Sequence, residues 1–226
     1  MSRFIELFQQ SLPAFLKGMS VTLQLTVFSL LIAIVLGMVT CLFKISRFKI
    51  LKVIAAVYVD IMRGTPLLVQ ATFLHFGVAA AFNITIPSKI AGIIVLSLNA
   101  GAYLSEIFRS GINAVNKGQM EAARSLGLPY SKAMIKVILP QAIRIVIPSV
   151  MNQFIITLKD TTIISIIGTD ELMRAANIIV ARNFRSFEIY GMVAIMYFIV
   201  IFTLTKISEY VERRLSNEKG KRKEPA

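Results

Sequence analysis

The sequence predicts an all-α, polytopic membrane protein with five transmembrane helices, its N-terminus outside and its C-terminus inside. Three observations predict it. Of 226 residues, 56% are hydrophobic and 16% charged, with a mean hydropathy of +0.71, whereas soluble domains average about half apolar and a quarter charged. Five segments approach the roughly 20 apolar residues needed to cross about 30 Å of hydrocarbon. Finally, 25 Lys and Arg against 12 Asp and Glu give a formal net charge of +13. In a soluble chain that excess would point to nucleic acid. Here it collects in alternate connections, as cytoplasmic anchoring charge does, and no nucleic-acid partner is expected.

Residues 1–18 read as a retained amphipathic lead-in: acid and polar residues stand where a signal peptide has its apolar stretch, and no small-residue cleavage site follows. The spans are expected at about 19–43, 53–82, 87–115, 141–167 and 188–208. The first carries no charge. Its connection to the second, KISRFKILK, holds Lys44, Arg47, Lys49 and Lys52 and no acid. The second span contains Asp60 and is interrupted by Arg63, Gly64, Thr65 and Pro66. Pro66 removes a backbone donor and turns Thr65 away from helical geometry, so the span is expected to kink or unwind there, read either as structural or as a gate hinge. The connection around GVAAAFNITIPS is uncharged; the next holds Lys117, Arg124, Lys132 and Lys136. The fourth connection, GTDELMRAANIIVARNFRSFE, mixes both signs and falls outside by parity. Residues 211–226 form a basic tail expected to be disordered.

The longest basic connection contains EAARSLGLPYSKAMIKVILP, residues 121–140. Asn116 followed by Gln119 suggests a capping box opening a short helix over about 117–127. Glu121 suits its early turns. Gly127 is placed to end it in the left-handed conformation, and Pro129 to start a second piece that stops at Leu139 and Pro140. So short a helix needs a surface to pack on: the headgroups, or a cytoplasmic partner.

No enzymatic chemistry is indicated. The phosphate-cradling pattern G-x-x-x-x-G-K-[ST] is missing; its nearest approach, from Gly111, has Asn116 in place of the second glycine. His75 is the single histidine and Cys41 the single cysteine, so neither a metal site nor a disulfide is expected.

The EAA pattern with Gly127, followed by Leu139 and Pro140, resembles the signature of ATP-binding-cassette importer permeases. RGTPLLVQ, AYLSEIFRSGI, GQMEAARSLGL, LPQAIR and LKDT are similar to the permease subunits of polar amino-acid importers, the group handling histidine, glutamine, arginine and lysine. The resemblance implies a type I ABC importer transmembrane domain over 19–210, working by alternating access. Gln119, Glu121, Ala122, Ala123 and Gly127 would contact an ATPase through a coupling helix. It also implies a second permease subunit, identical or not, and an extracytoplasmic amino-acid-binding protein, each on its own polypeptide. The chain itself would bind no cofactor; ATP and Mg would sit on the ATPase, and the complex in a bacterial cell membrane.

Two polar stripes are candidates for the substrate pathway, since ionisable groups within a bilayer face a cavity or one another. Asn99, Tyr103 and Glu106 share one face of the third span, opposite a small-residue ridge of Ser97, Gly101 and Ser105. Gln153, Thr157 and Asp160, with Lys159 beside them, line the fourth. Asp160 or Glu106 would meet an ammonium group, and Lys159 or a broken helix end a carboxylate. The alternative is internal pairing of Lys159 or Arg109 with Glu106 or Asp60. The competing function is a stand-alone ion-coupled carrier, which would use the acids but leave the EAA segment without a role.

Overall fold

The computed structural model describes residues 2–221, with side chains over residues 6–215. Eight helices follow one another: α1 (Ser2–Ile45), α2 (Lys49–Gly64), α3 (Leu67–Ala81), α4 (Ser88–Asn113), α5 (Lys117–Ser125), α6 (Tyr130–Ile167), α7 (Leu172–Asn183) and α8 (Ser186–Lys221). Four of them, α1, α4, α6 and α8, are long and apolar enough to cross a bilayer, and α2 with α3 makes a fifth, bent span.

The bundle is organised around α4, which holds the largest share of buried residues of any helix. It lies parallel to α1: Ser29 Oγ donates to the Ile93 carbonyl at 3.3 Å near one end, and Lys44 pairs with Glu106 near the other. Close approach depends on the small-residue ridge. Ser97 and Ser105 are 1% and 0% exposed, and each returns its hydroxyl to its own helix, onto the carbonyls of Ile93 and Ala102. Gly37 lies on the facing side of α1, where an added Cβ would come 2.8 Å from Leu104 Cβ. In lipid, where apolar burial gives helices no net drive to associate, such packing is what holds the seam. α6 runs antiparallel to α4, with Ile164 in one core cluster beside Leu25, Val95 and Leu96, and Val150 near Ala100 and Leu104 in the next. Leu31, Val35, Leu42, Phe198 and Phe202 remain exposed, as a lipid-facing surface requires.

Three expectations change. α1 is continuous through residues 2–18, so no break separates a lead-in from the span. Pro13 lies within it, and just beyond Pro13 the side chains of Phe15 and Met19 join a core cluster with Leu172, Ala176, Ile189 and Met192. The second span unwinds at the expected place: Thr65 (φ −118°, ψ 144°) and Pro66 (φ −63°, ψ 138°) are extended, and α2 and α3 diverge by 105°. The chain does not stop at Leu139–Pro140 either. A π-helical turn over Met134–Ile138, closed by Leu139 N–H on the Met134 carbonyl, shifts the bonding by one residue just ahead of Pro140, which has no N–H to offer. Finally, α8 continues to Lys221, so residues 211–221 are helical, supported at the approach by a Lys206–Glu209 pair of 2.9 Å. The rest of the expected disordered tail, 222–226, lies outside the described residues.

The fourth connection is also ordered. After Gly168, Glu171 caps α7, its Oε1 accepting Arg174 N–H at 2.7 Å and its Oε2 accepting Tyr197 O–H at 3.1 Å. This carboxylate is fully buried, and burial raises its pKa against the opposing pull of backbone and side-chain hydrogen bonds.

Candidate functional site

The break in the second span is a braced joint. A helix end leaves carbonyls unpaired, and here Gln70 Nε2 reaches back to the Met62 carbonyl at 2.9 Å and to Thr65 Oγ1 at 2.8 Å. Asn99 Nδ2 adds donation to the Met62 carbonyl at 3.1 Å and to Gln70 Oε1 at 3.2 Å. Asn99 is therefore engaged in holding the joint against α4. Gln70 was passed over in the sequence, although the run RGTPLLVQ places it five residues beyond Thr65, within reach once the chain unwinds.

Beside the joint lies a cavity of about 300 Å³ between α2, α4 and α6, bordered by Arg63, Tyr103, Glu106, Ser110 and Ser149. The Arg63 guanidinium stands 5.1 Å above the Tyr103 ring, a cation–π geometry. Glu106 pairs with Lys44 and with Arg109, whose Nη2 lies 2.6 Å from Oε2. One carboxylate thus answers two cations from two helices, which realises the internal-pairing alternative for Glu106 and Arg109. Asp60 is exposed and joins no ion pair among the described residues. The cavity presents a cation, an aromatic ring and hydroxyls, with apolar walls from Ile107, Ile145 and Val146. Glu106, already paired with Lys44 and Arg109, adds a carboxylate to the same border.

Besides Asn99 at the joint, the expected pathway residues separate into three places. Tyr103 and Glu106 border the cavity. Gln153 and Thr157, 4% and 1% exposed, are buried in α6, where Thr157 Oγ1 donates to the Gln153 carbonyl at 2.9 Å. Lys159 is exposed and Asp160 half-buried further along α6, and neither borders the cavity. His75 stacks edge-on against Phe76 in the π-helical part of α3, centroids 4.7 Å apart. Among the described residues no group of three or more His, Cys, Asp or Glu is placed to hold a metal.

At the end of the bundle where α1 and α4 finish, α5 forms as a nine-residue helix. Its cap differs from the expected box: Asn116 Oδ1 accepts from Gly118 N–H at 2.8 Å, while Gln119 N–H bonds the Asn116 carbonyl at 3.0 Å. Its end follows expectation. Gly127 takes φ +83°, with Gly127 N–H on the Arg124 carbonyl and Leu128 N–H on the Ala123 carbonyl, the paired bonds of a Schellman turn. Ala123, 5% exposed, faces the bundle, and Met120 packs on Val115, Ile138 and Ala142. Gln119, Glu121, Ala122 and Gly127 face outward. Of the five residues expected to contact an ATPase, Ala123 alone is buried within the chain. The outward face gains Leu126, 84% exposed, which sequence reasoning missed.

Comparison with known proteins places this architecture. Residues 29–217 match the family described as "Binding-protein-dependent transport system inner membrane component". The arginine transport system permease protein ArtQ of Bacillus subtilis is 38% identical, aligned over 91% of this chain and 94% of its own length. The L-cystine transport system permease protein TcyB of the same organism is 42% identical over 93% and 90%. The crystal structure of an amino acid ABC transporter with histidines superimposes with a TM-score of 0.90 at 41% identity, covering 93% of this chain and 98% of that one. On the family match, these identities and this coverage, the chain belongs to the binding-protein-dependent transport system inner membrane components.

Proposed function

We propose that this chain is the membrane-spanning permease subunit of an ATP-driven importer that carries polar amino acids by alternating access across a bacterial cell membrane. The reading is supported most by one arrangement: a short helix with an outward face of Gln119, Glu121, Ala122, Leu126 and Gly127, seated on the basic end of a bundle that encloses a polar cavity. A separate ATPase, carrying ATP and Mg, docks on that face, and its closure moves α5 together with the start of α6. A second permease subunit completes the membrane core, and an extracytoplasmic binding protein delivers the substrate.

Arg63 is the cavity cation that receives the substrate carboxylate, and the Tyr103 ring and the Ser110 and Ser149 hydroxyls complete its seat. Asp160 and Lys159 belong to a separate stage of the path. The relatives' names, arginine and cystine permeases, fit a zwitterionic amino acid with a polar side chain. The test is ATPase activity of the reconstituted complex over a panel of amino acids with the binding protein present. Stimulation by polar amino acids, lost in Arg63→Gln, supports the reading; stimulation by none, with uptake driven by a proton or sodium gradient alone, overturns it.

A further inference from the structure

A second cavity, of about 500 Å³, lies between α1, α4 and α6 and shares only Val146 with the polar one. Every side chain lining it is apolar, among them Met38, Leu42, Phe108, Ile143 and Val150. It borders only the halves of these helices that end at the basic face: residues 34–42 of α1, 108–112 of α4 and 139–151 of α6. At 1.5 Å per residue those stretches of α1 and α6 extend about 12 and 18 Å along the bundle. One leaflet of hydrocarbon is about 15 Å deep, half of the roughly 30 Å core. The cavity therefore has the length of a single acyl chain in the cytoplasmic leaflet.

The charge near its cytoplasmic mouth has a positive surplus. Lys44 comes two residues after Leu42, and Arg109 directly follows Phe108. Both are tied to Glu106, leaving one positive charge unbalanced in the cluster. The Lys44 side chain is only 16% exposed, whereas that of Arg109 is 44% exposed, so Arg109 has donors free to reach outward. Cys41, in the cavity wall, sits within electrostatic reach of all three groups.

We propose that this groove binds one anionic phospholipid of the cytoplasmic leaflet, its acyl chain between α1, α4 and α6 and its phosphate on Arg109, backed by Lys44. A second copy of the chain is the other occupant an apolar groove invites, but it gives no reason for surplus positive charge at headgroup depth. Anionic headgroups supply the matching charge there. The inference rests on the position of the groove in the bilayer and is independent of the transported substrate.

The test uses the chain's single cysteine as reporter. The complex is placed in nanodiscs of phosphatidylcholine alone or with phosphatidylglycerol, and the alkylation rate of the Cys41 peptide is read by mass spectrometry. Phosphatidylglycerol is expected to slow labelling, and Arg109→Gln to weaken that protection about fivefold. Val150→Trp, filling the groove, should protect Cys41 in either lipid and remove the co-purifying phosphatidylglycerol seen by native mass spectrometry. Arg109→Lys, which keeps the charge, should retain protection if folding is intact. Equal labelling in both lipids, protection by inorganic phosphate alone, or protection in lipid-free detergent with cross-linking between two copies would each overturn the proposal.

Discussion

Two short helices close opposite ends of this bundle, and they are held in opposite ways. α7, twelve residues, has Leu172 and Ala176 fully buried against α1 and α8, and even its capping carboxylate, Glu171, is out of solvent. α5, nine residues, buries only Ala123 and half of Met120, and ends on an exposed Leu126. Helices this short are marginal alone, so each needs a seat. α7 has one within the chain, whereas α5 has half of one and leaves its other face exposed. The difference teaches which end is fixed by the chain itself and which, on the proposed function, is left for a motor to push.

The comparison breaks most severely at α7. Leu172→Ala empties a fully buried site and should cost about 2–5 kcal/mol, seen as a lower unfolding temperature of the purified permease. At α5 the expected effect is mechanical. Gly127→Val forces a β-branched residue to φ +83°, a strain of about 1–3 kcal/mol, and should lower uptake per ATP hydrolysed while permease abundance holds. Leu126→Ala sharpens the contrast, since an exposed side chain contributes little to stability within its own chain. Binding of the ATPase should weaken about tenfold, as burying a leucine is worth roughly 1.5–3 kcal/mol, while the unfolding temperature stays within a degree or two.

The smallest effect concerns pH. Burial raises the Glu171 pKa above its ordinary value, so the protonated form is favoured in the folded state. The stability this gives is fully present below about pH 4 and declines as pH rises through the raised value. Glu171→Gln keeps an acceptor for Arg174 N–H and should flatten that slope. Glu171→Ala removes the cap as well and should cost about 1 kcal/mol at any pH.

How much of this was legible depended on the reach of each interaction. The spans, the basic face, the break before Pro66 and the turn at Gly127 are set by local chemistry, and they appear where hydropathy, charge and backbone rules put them. The inward turn of Ala123 was legible in principle, since Met120 and Ala123 lie three residues apart on one face of α5. Glu106 finds Lys44 from 62 residues away, and Asn99 braces a joint 37 residues before it; no spacing rule reports such pairs. The core cluster that α1 joins just beyond Pro13 likewise draws on α7 and α8, more than 150 positions later.

The most direct test of the central claim, that the outward face of α5 receives the motor, is a cysteine at Leu126 in a Cys41→Ala background. The account predicts that Leu126→Cys is labelled only from the cytoplasmic side of oriented vesicles, is shielded when the ATPase is added, and cross-links to it. Labelling from the external side, or full reactivity in the assembled complex, would contradict it.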